Sequence, residues 1–262
     1  MNFTRLLASV TPADAPARAT EIPENWMQGR TAYGGLTAAL CLEAAIPLSG
    51  GLPVRAVQIA FVGPVNGTAV CRPQVLRQGK NTVFTSVRMT GEDGVLAEAI
   101  ITFGAARTSA LDFAHLPPPE VAPPVSAPDY FRKPGQGPAF TQNFDILLAG
   151  GSPPMSGAPE ADISIWMRHK DPETRSDAVA LLALADAPPP AAMSMFTAPG
   201  RISSMTWMAE FLTETIETEA RWFLARHTAQ TARNGYSSQA MSMWNTAGEP
   251  VMIGRQTIAV FA

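Results

Sequence analysis

Ala32-Tyr33-Gly34-Gly35-Leu36-Thr37-Ala38-Ala39-Leu40-Cys41-Leu42-Glu43-Ala44-Ala45 decides how this chain is read. It is an Ala/Leu-rich helix, stopped by Pro47 and Gly50-Gly51. Leu36, Ala38, Ala39, Leu40, Leu42, Ala44 and Ala45 make it apolar nearly all round. Such a helix must be covered on every side. The cover follows directly, as runs of β character at 54–62, 69–77, 81–90 and 95–103. The last two runs are joined by the hairpin turn Gly91-Glu92-Asp93-Gly94.

The same order returns later in the chain. A second Ala/Leu-rich helix is expected from Ser176-Asp177 to Asp186, with either of the first two as N-cap and Pro188-Pro189-Pro190 as its stop. Runs at 203–213, 219–228, 234–244 and 251–261 come next, and Asn245-Thr246-Ala247-Gly248 turns the last pair. Arg30 aligns with Arg175, Phe61 with Phe211, Lys80-Asn81 with Arg233-Asn234, and Phe103 with Phe261. The separations grow steadily, as a duplication with small insertions would leave them. Each copy also opens on a Phe-led apolar segment, Phe3-Thr4-Arg5-Leu6-Leu7-Ala8 and Phe144-Asp145-Ile146-Leu147-Leu148-Ala149, and then a short segment ending in Trp26 or Trp166.

Between the copies stand Pro117, Pro118, Pro119, Pro123, Pro124, Pro128, Pro134 and Pro138. Each removes a donor and fixes φ, so this stretch is neither helix nor central strand but a semi-rigid linker. The division is residues 1–108, a linker at 109–140, and residues 141–262. One helix followed by a four-stranded meander, in duplicate, predicts an α+β tandem, or double, hot-dog. Two long antiparallel sheets would each wrap around a central helix and join into one continuous sheet, with the linker crossing the outside.

Composition narrows the function. Of 262 residues, 46% are hydrophobic, enough for a large core, and only 16% are charged. The formal charge of −3 gives no basic excess for nucleic acid or anionic lipid. No uninterrupted apolar run reaches about 20 residues and the N-terminus has no signal-peptide pattern, so a cytoplasmic protein is expected. Cys41 and Cys71 are too few for a disulfide framework, and with only His115, His169 and His227 no metal site is expected.

Several stretches resemble the acyl-CoA thioesterase II family, the double hot-dog thioesterases. These are Gln28-Gly29-Arg30-Thr31-Ala32-Tyr33-Gly34-Gly35-Leu36, Phe61-Val62-Gly63-Pro64, Leu76-Arg77-Gln78-Gly79-Lys80-Asn81, Trp166-Met167-Arg168 and the closing Arg255-Gln256. The resemblance covers most of the chain apart from the linker. It implies hydrolysis of an acyl thioester to carboxylic acid and free thiol, by a water held between an Asp, a Thr or Ser, and a Gln. The matching positions are Asp186, Ser204 and Gln256, with Tyr33, Gly34 and Gly35 on the substrate side. No cofactor is implied, since coenzyme A would enter as part of the substrate. The partner would be a small-molecule acyl thioester, and association of several chains into a homo-oligomer stays open. The segment Met205-Thr206-Trp207-Met208-Ala209-Glu210 departs from the family's usual Asp and His pattern.

Each of these residues also has a plainer reading. Asp186 could simply start a proline-rich loop, and Gln256, on the same alternating face as Ile258 and Val260, could serve a structural hydrogen bond. Either Ser203 or Ser204 could be the hydroxyl. Gly34-Gly35 could serve close packing. Glu98, in the place matching Gln256, is either buried or the vestige of a second site. His227 is expected to be exposed or paired, and Cys41, which aligns with Asp186, to be a buried helix residue. Two other functions compete: a non-catalytic acyl-binding hot-dog, and a hot-dog enoyl-thioester hydratase. The hydratase needs a His some five residues after its Asp, where Ala191 stands.

Overall fold

The computed structural model describes residues 1–131 and 135–261. Pro134 of the expected linker and residue 262 of the expected second unit lie outside the described residues. The chain opens with α1 (Phe3–Ala8), capped by the Asn2 side chain, which accepts from the Arg5 amide at 3.0 Å. Strands β1 (Thr11–Pro12) and β2 (Arg18–Glu21), and a small hairpin of β3 (Met27–Gln28) and β4 (Thr31–Ala32), lead into α2 (Gly34–Ala45). The first meander is β5 (Val54–Phe61), β6 (Thr68–Gln78), β7 (Thr82–Gly91) and β8 (Gly94–Gly104). The second half runs β9 (Phe144–Gly151), β10 (Asp162–His169), α3 (Ala178–Ala185), β11 (Arg201–Phe211), β12 (Phe223–Arg233), β13 (Tyr236–Trp244) and β14 (Pro250–Phe261).

Twelve strands form one antiparallel sheet in the order β1-β2-β6-β7-β8-β5-β11-β14-β13-β12-β10-β9. The fold is thus the tandem hot-dog. The halves meet where β5 pairs with β11, from Thr206 opposite Ala60 to Glu210 opposite Ala56. The sheet curls around α2 and α3, which also pack against each other. Leu36, Ala38, Ala39, Cys41 and Leu42 of α2, and Val179, Leu182 and Ala183 of α3, are fully enclosed. Burial of each larger aliphatic side chain contributes roughly 1.5–3 kcal/mol. Asp177 caps α3, accepting from the Ala180 amide at 2.9 Å.

The sheet order also corrects the repeat. The two Phe-led segments are not the same element: Phe3–Ala8 is a helix and Phe144–Gly151 an edge strand. By position in the sheet, the counterpart of β9 is β1. A six-residue apolar run fits either structure, and only its partners decide. Residues Glu219–Arg221, read as the start of a strand, form a 3-10 turn with positive φ at Ala220 and Arg221, and β12 begins at Phe223.

The proline-rich stretch runs over the outer face of the second half. Two indoles fasten it: Trp244 Nε1 donates to the Leu116 carbonyl at 2.8 Å, and Trp166 Nε1 to the Ala122 carbonyl at 2.9 Å. Leu116, Val121 and Ala127 then pack on the cluster of Trp166, Leu224 and Trp244, apart from the main core.

Candidate active site

Asp186 sits where three elements converge: the end of α3, the start of α2 and the inner row of β14. It is the C-cap of α3. Its carboxylate accepts a hydrogen bond from Gln256 Nε2 of β14 and lies against Gly34 and Gly35 in the first turn of α2. The C-terminal end of α3 disfavours an anion, but the N-terminal end of α2 faces it and favours one. No side chain caps α2 and no acidic residue occupies its first turn, so its leading amides stay available as donors.

The glycines allow this approach. A Cβ on Gly34 would lie 2.6 Å from Asp186 Oδ2 and 2.9 Å from Phe61 Cζ. On Gly35 it would lie 2.5 Å from the Ala183 carbonyl oxygen and 2.6 Å from the Tyr33 ring. Tyr33 is buried, stacks on Phe140 at 4.3 Å, and donates its hydroxyl to the Ala183 carbonyl at 2.9 Å. It therefore ties the start of α2 to the last turn of α3.

Desolvation by the surrounding protein pushes the Asp186 carboxyl up to about 7, against the opposing pull of the Gln256 and Gly35 donors. The residue nevertheless keeps part of its surface open to solvent. A carboxyl that binds a proton near neutrality can both take up and release one at ordinary pH. Burial, and secondarily the nearby Asp186, hold the Tyr33 hydroxyl well above its usual range, so it stays a neutral donor.

Of the residues singled out in the sequence, Asp186, Gln256, Tyr33, Gly34 and Gly35 come together. Ser204 lies on the adjacent strand opposite Ile258, one step along the inner face from Gln256, while Ser203 is exposed. Among the described residues no hydrogen bond joins Ser204 to Asp186 or Gln256. A bulge at Met205 changes the register there, so that Trp207 stands opposite Gln256. Glu98 is not buried: its side chain is half-exposed and pairs with Arg88. Cys41 and Cys71 are buried free thiols. The hydrogen bond to Cys71, and then burial, push the Cys41 thiol up, which makes it a poor nucleophile.

One residue escaped the sequence reading and another was placed differently by it. Gln239 of β13 is buried opposite Gln256, and its Nε2 donates to Gln256 Oε1 at 2.7 Å. Its own Oε1 accepts from the Ala191 amide at 2.9 Å. The alternation Ser237, Gln239, Met241, Met243 carried the signal, a polar pair leading an apolar inner row. His227, expected to be exposed or paired, is buried, and neither ring nitrogen has a hydrogen-bond partner among the described residues. Desolvation lowers it to about 4, partly offset by the Pro189 carbonyl, so it is neutral at ordinary pH.

No cluster of His, Cys, Asp and Glu among the described residues could hold a metal ion, and no helix there is long and apolar enough to cross a membrane.

Comparison with known families matches residues 22–104 to the acyl-CoA thioesterase N-terminal domain and residues 118–260 to the acyl-CoA thioesterase C-terminal domain. Among solved structures, a conserved protein of unknown function with a hot-dog fold from Alicyclobacillus acidocaldarius is 23% identical, covers 100% of this chain and 99% of its own, and superposes with a TM-score of 0.90. A tesB protein from Mycobacterium avium subspecies paratuberculosis is 17% identical over 100% of each chain, with a TM-score of 0.81. An acyl-CoA thioesterase II from Mycobacterium marinum is 16% identical over 98% of each chain, with a TM-score of 0.77. A search of curated proteins finds no match. At these identities the structures establish the shared fold.

Proposed function

The chain belongs to the acyl-CoA thioesterase family, and on that premise we propose that it hydrolyses an acyl-CoA to carboxylic acid and free coenzyme A at Asp186. The observation that carries this reading is the meeting of the Asp186 carboxylate with the Gln256 amide and the uncapped first turn of α2.

Asp186 takes a proton from water as the water oxygen bonds to the thioester carbonyl carbon. The carbonyl oxygen becomes an oxyanion, for which the leading amides of α2 are the donors. Gly34 keeps that backbone open to the substrate. The intermediate collapses with cleavage of the carbon–sulfur bond, and the proton on Asp186 passes to the departing sulfur. Gln256 orients both the carboxylate and the water, since an amide can donate and accept. Ser204 supplies the hydroxyl that steadies the water from the adjacent strand, and Tyr33 holds the start of α2 in place. The reaction calls for neither metal nor prosthetic group, because carboxylate, water and amide donors complete the proton balance.

The test is thiol release from a panel of acyl-CoAs of different chain length, measured for the protein and for Asp186→Asn. Loss of about 10²–10⁴-fold in the variant, with acyl-CoA binding retained, is expected for removal of a general base. Activity unaffected by the substitution overturns the assignment of Asp186. Binding without turnover in both proteins favours a non-catalytic acyl-binding role.

A further inference from the structure

We propose that Gln239 is a positioning residue: it dictates which end of the Gln256 amide faces Asp186. The proposal rests on the hydrolase reading above and adds a residue outside the Asp186, Ser204 and Gln256 set.

The argument runs along a chain of hydrogen bonds whose first member has no freedom. The Ala191 backbone N–H can only donate, and it donates to Gln239. That fixes the oxygen of Gln239 toward Ala191, so its NH2 must point the other way, to Gln256. The oxygen of Gln256 is thereby committed as the acceptor, and its NH2 is left facing Asp186. Side-chain amides are otherwise free to present either end. With Gln239 replaced by an apolar residue, Gln256 could turn its carbonyl toward the carboxylate. Asp186 would lose a donor and gain a repelling dipole. The chain also closes on itself, because Ala191 follows Asp186 across Ala187-Pro188-Pro189-Pro190, whose prolines limit the backbone freedom of the loop.

The surroundings leave few other influences on Asp186. Tyr33 at the start of α2 is the titratable group whose charge is coupled to it, and it is held neutral. Gln256 and Gln239 on β14 and β13 carry no charge. His227 on β12, beside the Pro189 carbonyl, is neutral above about 4.

The experiment titrates the Asp186 carboxyl by 13C NMR in selectively labelled protein, for the wild type, Gln239→Met, Gln256→Met and the double variant. Methionine is close to isosteric and joins an inner row that already holds Met241 and Met243; Gln239→Leu serves as a second variant should it not fit. The titration midpoint is expected to rise by about one unit in Gln239→Met, as for loss of a hydrogen bond to the charged form. It should rise no further when Gln239→Met is added to Gln256→Met. In assays, kcat should fall at least about tenfold with KM within twofold, as for an interaction used in the chemical step and not in binding. An unchanged midpoint, or an equal shift in the Gln256→Met background, overturns the proposal. Failure of the hydrolase reading is separate: no thiol release from the wild type, with the NMR coupling still measurable.

Discussion

Gly35, in the first half of the chain, packs directly against Asp186 in the second: a Cβ added to it would lie 3.1 Å from the Asp186 Cβ. The contact joins the start of one central helix to the end of the other. The candidate site thus belongs to neither half alone, and its behaviour can be predicted from what surrounds this one carboxylate.

Activity should carry an acid limb with its midpoint near pH 7. Asp186 must be ionised to accept a proton, and burial pushes it up to about 7. Below that point log(kcat/KM) should fall by about one per pH unit, as for a single essential base of the free enzyme. A pH–rate profile checks this, and a limb near 4 would show that burial does not raise the Asp186 carboxyl in the working enzyme.

Stability should bear the opposite sign. The folded protein binds the Asp186 proton more tightly than the unfolded chain, whose carboxyl titrates near 3.8. This contribution is full below the unfolded value and is lost as pH rises through about 7. The Tm of the wild type relative to Asp186→Asn should therefore decline between pH 4 and pH 8, as read by thermal melts across that range.

The two glycines of α2 should respond differently to alanine. In Gly34→Ala the new methyl meets the side chains of Asp186 and Phe61, which can shift. Activity should collapse while Tm changes little. In Gly35→Ala it meets the Ala183 backbone carbonyl, which cannot easily move. That variant should lose about 1–3 kcal/mol of stability as well as activity. Paired melting and thiol-release measurements separate the two.

His227→Leu should stabilise the protein most at acid pH. The buried imidazole titrates near 4 in the fold against 6.5 in the unfolded chain. Its contribution is present above 6.5 and is lost as pH falls through 6.5 toward 4. Leucine removes that loss and two unpartnered buried nitrogens. A larger Tm gain at pH 5 than at pH 8 is the expected result; equal gains would point to packing alone.

Trp244→Phe should loosen the proline-rich strap. It deletes the indole donor to the Leu116 carbonyl and part of a buried surface. A loss of about 1–3 kcal/mol is expected, with faster protease cleavage within residues 105–131 and thiol release largely preserved.

Much of this architecture was legible because helices and meanders leave periodic traces. The apolar α2 demanded a covering sheet, and turn residues marked where the strands reverse. The pairing of Asp186 with Gln256 was implied by the family resemblance; by pattern alone Asp186 reads as the start of a proline-rich loop and Gln256 as a structural hydrogen-bonding residue. Local sequence could not distinguish the helix at Phe3 from the strand at Phe144, since six apolar residues suit both and the choice belongs to their neighbours. Nor could it place Ser204 against Gln256, because a one-residue bulge at Met205 has no compositional mark. Gln239 was hidden for a related reason: a glutamine on an inner row shows its purpose only once its hydrogen-bond partners are known.

The seam between β5 and β11 has a consequence for how the molecule can be divided. A fragment containing only the first half would expose β5, and one containing only the second would expose β11, each as a bare edge with unpaired amides and carbonyls. Such edges recruit other chains, so either fragment alone is an aggregation hazard. Each edge is also the natural complement of the other. Two fragments produced together from a chain severed in the strap should find one another, and catalysis would then report their reunion.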